Sequence, residues 1–248
     1  MIPISDERHP RGGLPLVNLA IIALNLAAFI LLQLPSEAFT MGYSAIPAEI
    51  LGGQDLVGPV RVRLPDGSVE TILEAPGPDP IYLTLITSIF MHGGWVHLLG
   101  NMLFLYVFGD NIEAAFGSLP YFAFYMVVGV LASLAHVFTN AASVIPSLGA
   151  SGAISGVLAA YLLLFPRNRV RVLVFFRFIP FTFTVSAMFM IGLWALFQFV
   201  NGFAAIAPSE ETSGVAYMAH IGGFLAGLAI TFLARPYLDR GQGLRAVG

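Results

Sequence analysis

The chain has 248 residues, 57% of them hydrophobic and 10% charged, with a formal net charge of -3. A soluble domain carries about a quarter charged residues, so this chain belongs mostly in lipid, with no room for a large soluble domain. The slightly acidic balance gives nucleic acid nothing to bind, and the lack of cysteine excludes disulfides, a thiol nucleophile and cysteine metal sites.

Residues 1–15, "MIPISDERHPRGGLP", are polar and lack a signal peptide's short apolar core and cleavage site. They read as a cytoplasmic tail with a solvated His9. A membrane domain follows over residues 16–234, and residues 235–248 form a second cytoplasmic tail. Six apolar spans can be drawn, at 16–34, 95–115, 119–139, 150–165, 183–203 and 215–234. A span needs about 20 apolar residues. Between the first two lies a long loop, residues 35–93. In it "VRVRLPDGSVETIL" alternates around Asp66-Gly67, a hairpin signal for the outer face. "IYLTLITSIFM", residues 81–91, is too short to cross and ends at His92-Gly93-Gly94, so it reads as interfacial or re-entrant. Asp110 and Glu113 read as solvated charges at the inner end of span 2. His136 reads as a packing or interfacial histidine, and Trp194, Gln198 and Asn201 as packing or belt residues of span 5. The fold class is an all-α membrane protein, a six-transmembrane-helix bundle with a long first outer loop.

The eleven basic residues are all arginine. Arg8, Arg11, Arg167, Arg169, Arg171, Arg177, Arg235, Arg240 and Arg245 fall on one side, against Arg61 and Arg63 on the other. The positive-inside rule then puts both termini in the cytoplasm. The small size and the lack of an organelle presequence suggest a bacterial inner membrane.

Spans 2, 4 and 6 run from outside to inside, and each carries polar residues near its outer end. His97 and Asn101 are spaced i, i+4 on one face of span 2. Ser151 lies in the first turn of span 4 and His220 in the second turn of span 6. Polar groups in an apolar span face a bundle interior or a cavity. Four at similar depth point to one shared site. Span 4 has only sixteen residues and rises about 24 Å, so Ser151 starts below the outer surface, in a cavity open to water.

Gly149 and Gly152 in "PSLGASGAISG" allow close approach to Ser151. The free N–H groups at that helix start suit a developing oxyanion. Gly223 and Gly227 in "AHIGGFLAG" let span 6 pack tightly on span 4 and bring His220 to Ser151. Serine beside histidine is the nucleophile–base pairing of acyl transfer. No carboxylate shares the depth of His220, so the pair is a dyad whose ring orientation rests on packing alone. No residues call for a metal or cofactor.

The blocks "MHGGWVHLLGNMLFLYVFGDNIEAAFG", "GASGAISG" and "AHIGGFLAG", in this order, resemble the rhomboid family of intramembrane serine proteases over roughly residues 81–234. The resemblance implies Ser151 as nucleophile and His220 as general base and acid. It implies an oxyanion site of Asn101, His97 and the Ser151 backbone amide, with His92 and Gly149 in support. Its implied substrates are single-span membrane proteins in the lipid bilayer, cut near the outer face. Two departures stand out. The first loop lacks the Trp-Arg pair of many rhomboids, and Ser155 stands where some carry a tyrosine against the catalytic histidine.

Overall fold

The computed structural model describes residues 1–9, 13–63, 68–204 and 216–242. The Asp66-Gly67 turn, Arg11, Glu210, Glu211 and Arg245 lie outside them. Helix α1 (Leu16–Gln33) is long and apolar enough to cross a membrane. Its start has no capping side chain, since Pro15 is the N-cap residue. The Glu113 carboxylate takes that role, accepting from the Val17 and Asn18 N–H groups at 3.2 and 2.8 Å and from the Ser118 hydroxyl at 2.6 Å. An anion satisfies orphan N–H donors and opposes the positive helix end. Glu113 is therefore buried, at 4% exposure, and not a solvated charge.

After α1 come two short helices, α2 (Glu37–Tyr43) and α3 (Pro47–Gly52). The expected hairpin follows as β2 (Gly58–Arg63) and β3 (Val69–Glu74), antiparallel in register from Gly58↔Glu74 to Arg63↔Val69. Next, α4 (Ile81–Phe90) and α5 (Trp95–Phe116) meet at a bend of 75°, a broken span or re-entrant loop. Gln33 holds this bend: its side-chain amide donates to the His92 carbonyl at 3.1 Å and accepts the His92 N–H at 2.8 Å. α5 turns wide at Leu105–Gly109. Such a π turn leaves backbone groups unpaired, and Asn18 donates to the Leu105 carbonyl there at 2.8 Å.

Helix α6 (Ser118–Thr139) is the second full-length apolar helix. α7 (Ser151–Leu164) is short and almost wholly buried. A second hairpin then departs from expectation: β4 (Arg169–Phe176) pairs with β5 (Ile179–Ser186), and β1 (Ile2–Ser5) adds to β4. α8 (Ala187–Ala204) and α9 (Tyr217–Gln242) complete the described elements.

Two further expectations change. The protein is mostly helical but not all-α, because "RVRVLVFF" and "IPFTFTVS" carry period-two alternation that an apolar count reads as the start of span 5. That span begins at Ala187 instead of 183. The N-terminal segment is also docked. Asp6 accepts from Asn111 Nδ2 at 2.7 Å and from the Tyr161 hydroxyl, and His9 is 8% exposed with its N–H bonded to Asn111 Oδ1. Among the described residues, three helices are long and apolar enough to span, the bent pair makes a fourth, and Ser151–Leu164 and Ala187–Phe203 are shorter.

Candidate active site

The segment before α7 adds an antiparallel bridge to the loop after α2, with Ala45 and Ser147 exchanging N–H···O bonds at 3.0 and 2.8 Å. Two residues on, the Gly149 N–H donates to the Ser88 carbonyl at 2.9 Å, tying the start of α7 to α4. Gly149 has φ of +136°, a conformation open mainly to glycine. A Cβ there would also stand 2.8 Å from His97 Cε1. Glycine is required on both counts.

Helix α7 begins at Ser151, so the Ser151 N–H is one of the four free donors of the first turn. The Ser155 hydroxyl turns back to the Ser151 carbonyl at 2.6 Å. Ser155 thus serves its own helix. α9 lies against α7 with backbone on backbone: a Cβ on Gly223 would overlap the Gly152 carbonyl oxygen, and one on Gly227 would stand 2.6 Å from the Gly156 oxygen. A Cβ on Gly152 would in turn reach Ala132 on α6 at 2.7 Å. This closeness, available only to small residues, lets His220 Nε2 stand 2.8 Å from Ser151 Oγ.

His220 Nδ1 lies 2.7 Å from Oε1 of Gln198 on α8. An amide oxygen can only accept, so Nδ1 carries the proton and Nε2 is left to accept from the serine hydroxyl. Trp194, one turn earlier on α8, places its ring 6.0 Å from the imidazole. The ring orientation therefore does not rest on packing alone. The sequence alone suggests only packing or belt roles for Gln198 and Trp194. The signal for another role was an amide four residues after a tryptophan, on the span preceding His220.

His97 Nδ1 accepts the Gly93 N–H at 3.3 Å, which leaves its proton on Nε2. His92 sits behind it, buried, with the two rings edge-to-face at 5.1 Å. Asn101 is buried, and its Nδ2 has no hydrogen-bond partner. Ser151, His220, His97, Asn101, Trp194 and His136 all line one cavity of about 1090 Å³. His136 thus reaches the same cavity, with Nδ1 3.4 Å from Asn140 Nδ2. Groups of three or more side chains able to hold a metal are absent among the described residues.

The rhomboid domain family model matches residues 80–237. The chain is 31% identical over 150 residues to Rhomboid protein 1, mitochondrial, of Saccharomyces cerevisiae, covering 59% of this chain and 40% of that one. It is 34% identical over 162 residues to Rhomboid protease GluP of Bacillus subtilis, covering 65% and 27%. To Rhomboid-like protein 11, chloroplastic, of Arabidopsis thaliana it is 28% identical over 162 residues, covering 64% and 54%. The chain therefore spans only about a quarter to a half of the length of these relatives. The matched region takes in α5, α7 and α9, the three helices that bring His97, Asn101, Ser151 and His220 to one cavity, and the chain belongs to the rhomboid family, generally intramembrane serine proteases.

Proposed function

We propose that the protein is an intramembrane serine endopeptidase cutting membrane-spanning proteins, single-span ones among them, near the outer membrane face. The observation that carries this reading is the 2.8 Å approach of His220 Nε2 to Ser151 Oγ inside a cavity flanked by lipid-spanning helices. We read the chain as six spans, with the bent α4–α5 pair as the second and both termini cytoplasmic, in a bacterial inner membrane.

In this mechanism His220 takes the Ser151 hydroxyl proton as Oγ attacks the scissile carbonyl carbon. The carbonyl oxygen, now anionic, is received by the Ser151 N–H, Asn101 Nδ2 and His97 Nε2–H. The intermediate collapses as His220 returns the proton to the leaving amine, and Ser151 is left acylated. Water entering the cavity, deprotonated by His220, attacks the ester carbonyl carbon, and the ester C–O bond breaks as His220 returns that proton to Ser151 Oγ and the acid is freed. Gln198 holds the Nδ1–H throughout, fixing the tautomer as a carboxylate does in a triad, though without its full negative charge. The unpaired Nδ2 of Asn101 supports its place in the oxyanion site: a buried donor without a partner is costly unless something accepts from it.

A peptide bond inside a helix is shielded and hydrogen-bonded. Substrates are therefore cut where weak helix formers, Gly or Pro, loosen the outer part of their span. Incubation with candidate single-span proteins, wild type beside Ser151→Ala, tests the reading. Cleavage by the wild type alone, with fluorophosphonate labelling of Ser151, supports it. An unlabelled Ser151, or cleavage that survives Ser151→Ala, refutes it.

A further inference from the structure

The β4–β5 hairpin between α7 and α8 plays no part in the chemistry above. Its register places Val170 opposite Val185, Val172 opposite Phe183, Val174 opposite Phe181 and Phe176 opposite Ile179. Directly opposed residues share a face, so one side of the ribbon is wholly apolar. At its base Val170 and Val172 are fully buried against the protein. Beside and beyond them the same face is about half open: Phe183, Phe181, Ile179 and Phe176 are 46%, 51%, 57% and 64% exposed. The opposite face is polar at the base, where Arg169 pairs with Ser186, Arg171 with Thr184 and Leu173 with Thr182, and apolar near the tip, where Phe175, 58% exposed, stands opposite Pro180.

The tip adds an independent observation. A two-residue turn, Arg177-Phe178, joins the strands, with φ of +45° and +71°. Asn-Gly or Gly-Gly fits this turn without strain, whereas side-chain-bearing residues pay for the left-handed conformation. The strain puts a phenylalanine, 96% exposed, at the far end of the ribbon beside an arginine. Turn stability alone favours neither residue.

We propose that this hairpin is an interfacial anchor: its apolar face and Phe178 lie in the acyl-chain boundary of the leaflet that receives the C-terminal end of α7, and Arg177, Arg169 and Arg171 meet lipid phosphates. The bilayer is the occupant because the patch continues into the exposed apolar side of α8, which starts at the residue after β5 with Met188 and Phe189. Arginine at the tip and aromatics below it match the charge and polarity profile of a headgroup layer. At about 3.3 Å per residue, the ribbon reaches roughly 26 Å from the helix ends. This inference rests on membrane integration and is independent of proteolysis.

The cysteine-free chain allows a direct test. Phe181→Cys, Thr182→Cys and Phe178→Cys proteins, each carrying an environment-sensitive nitrobenzoxadiazole label, are reconstituted in phosphatidylcholine–phosphatidylglycerol vesicles with tail-brominated lipid. Bromine quenching at positions 181 and 178, and its loss at 182, is the expected result. Equal quenching at 181 and 182, or none at 178, overturns the proposal. So does a blue-shifted but unquenched label at 181, which would mean that a second copy of the chain covers the patch. Phe178 projects into open space, so Phe178→Cys decides the matter even if the strand variants fail to fold.

Discussion

A single amide oxygen decides which nitrogen of His220 faces Ser151 Oγ. With Gln198 replaced by leucine the imidazole loses the acceptor for Nδ1–H and populates the tautomer that cannot take the serine proton. Hydrogen bonds to charged groups are worth about 1.5–3 kcal/mol, so Gln198→Leu should lower kcat by about 10- to 10²-fold with KM little changed. Gln198→Glu should retain activity, because a carboxylate accepts the same Nδ1–H. Steady-state kinetics on any cleaved substrate tests both, and equal loss in the two variants would reduce Gln198 to a packing residue. Asn101→Ala should leave residual turnover, about 10²–10³ below wild type. Ser151, His220, His97 and Asn101 were legible because each is a polar residue in an apolar run at a similar distance from a helix start. Gln198 was not. Its partner lies 22 residues away across a loop, and no local spacing encodes that pairing.

At the scale of elements, helix ends are held by groups from elsewhere in the chain. Glu113 closes the start of α1 from 96 residues away. Its replacement by alanine removes three hydrogen bonds at once and should cost about 1–3 kcal/mol, seen as a lower melting temperature in detergent. Glu113→Gln should recover part of the loss. The β2–β3 hairpin has a different dependence. Burial, with the Glu49 and Asp55 carboxylates nearby, pushes the Glu74 carboxyl up to about 7. A carboxyl raised in the folded state stabilises most where it is protonated in both states, and that contribution fades as pH rises through its unfolded and then its folded value. Amide protection in β2–β3 should therefore fall between pH 4.5 and about 7. Glu74→Gln should abolish that dependence, and a flat wild-type profile would contradict it. The first hairpin was legible from its alternation around Asp-Gly. The second was hidden because Phe, Ile and Val serve a strand and a membrane helix equally well in an apolar count, and only the Arg-Val alternation at its base told them apart.

For the whole molecule, the arginine asymmetry predicts which ends face which compartment. Ser68→Cys in the first hairpin should react with an impermeant maleimide in intact cells, and Arg167→Cys, just past α7, only after permeabilisation. The reverse pattern would place the cavity of Ser151 on the cytoplasmic side. Composition made membrane residence plain. It could not reveal the docked N-terminal strand, because β1 gains its place by pairing with β4, a partner more than 160 residues away.

The contact of α7 with α9 through Gly152, Gly156, Gly223 and Gly227 has a consequence for assembly. In a bilayer the helices form before they associate, so the backbone entropy that glycine surrenders is lost at insertion. When the two helices then meet, these positions have no rotamers left to freeze. Ser151 and His220 are brought together by a docking step to which these glycines add almost no conformational entropy cost, and their alignment should soften little on warming until the helices part.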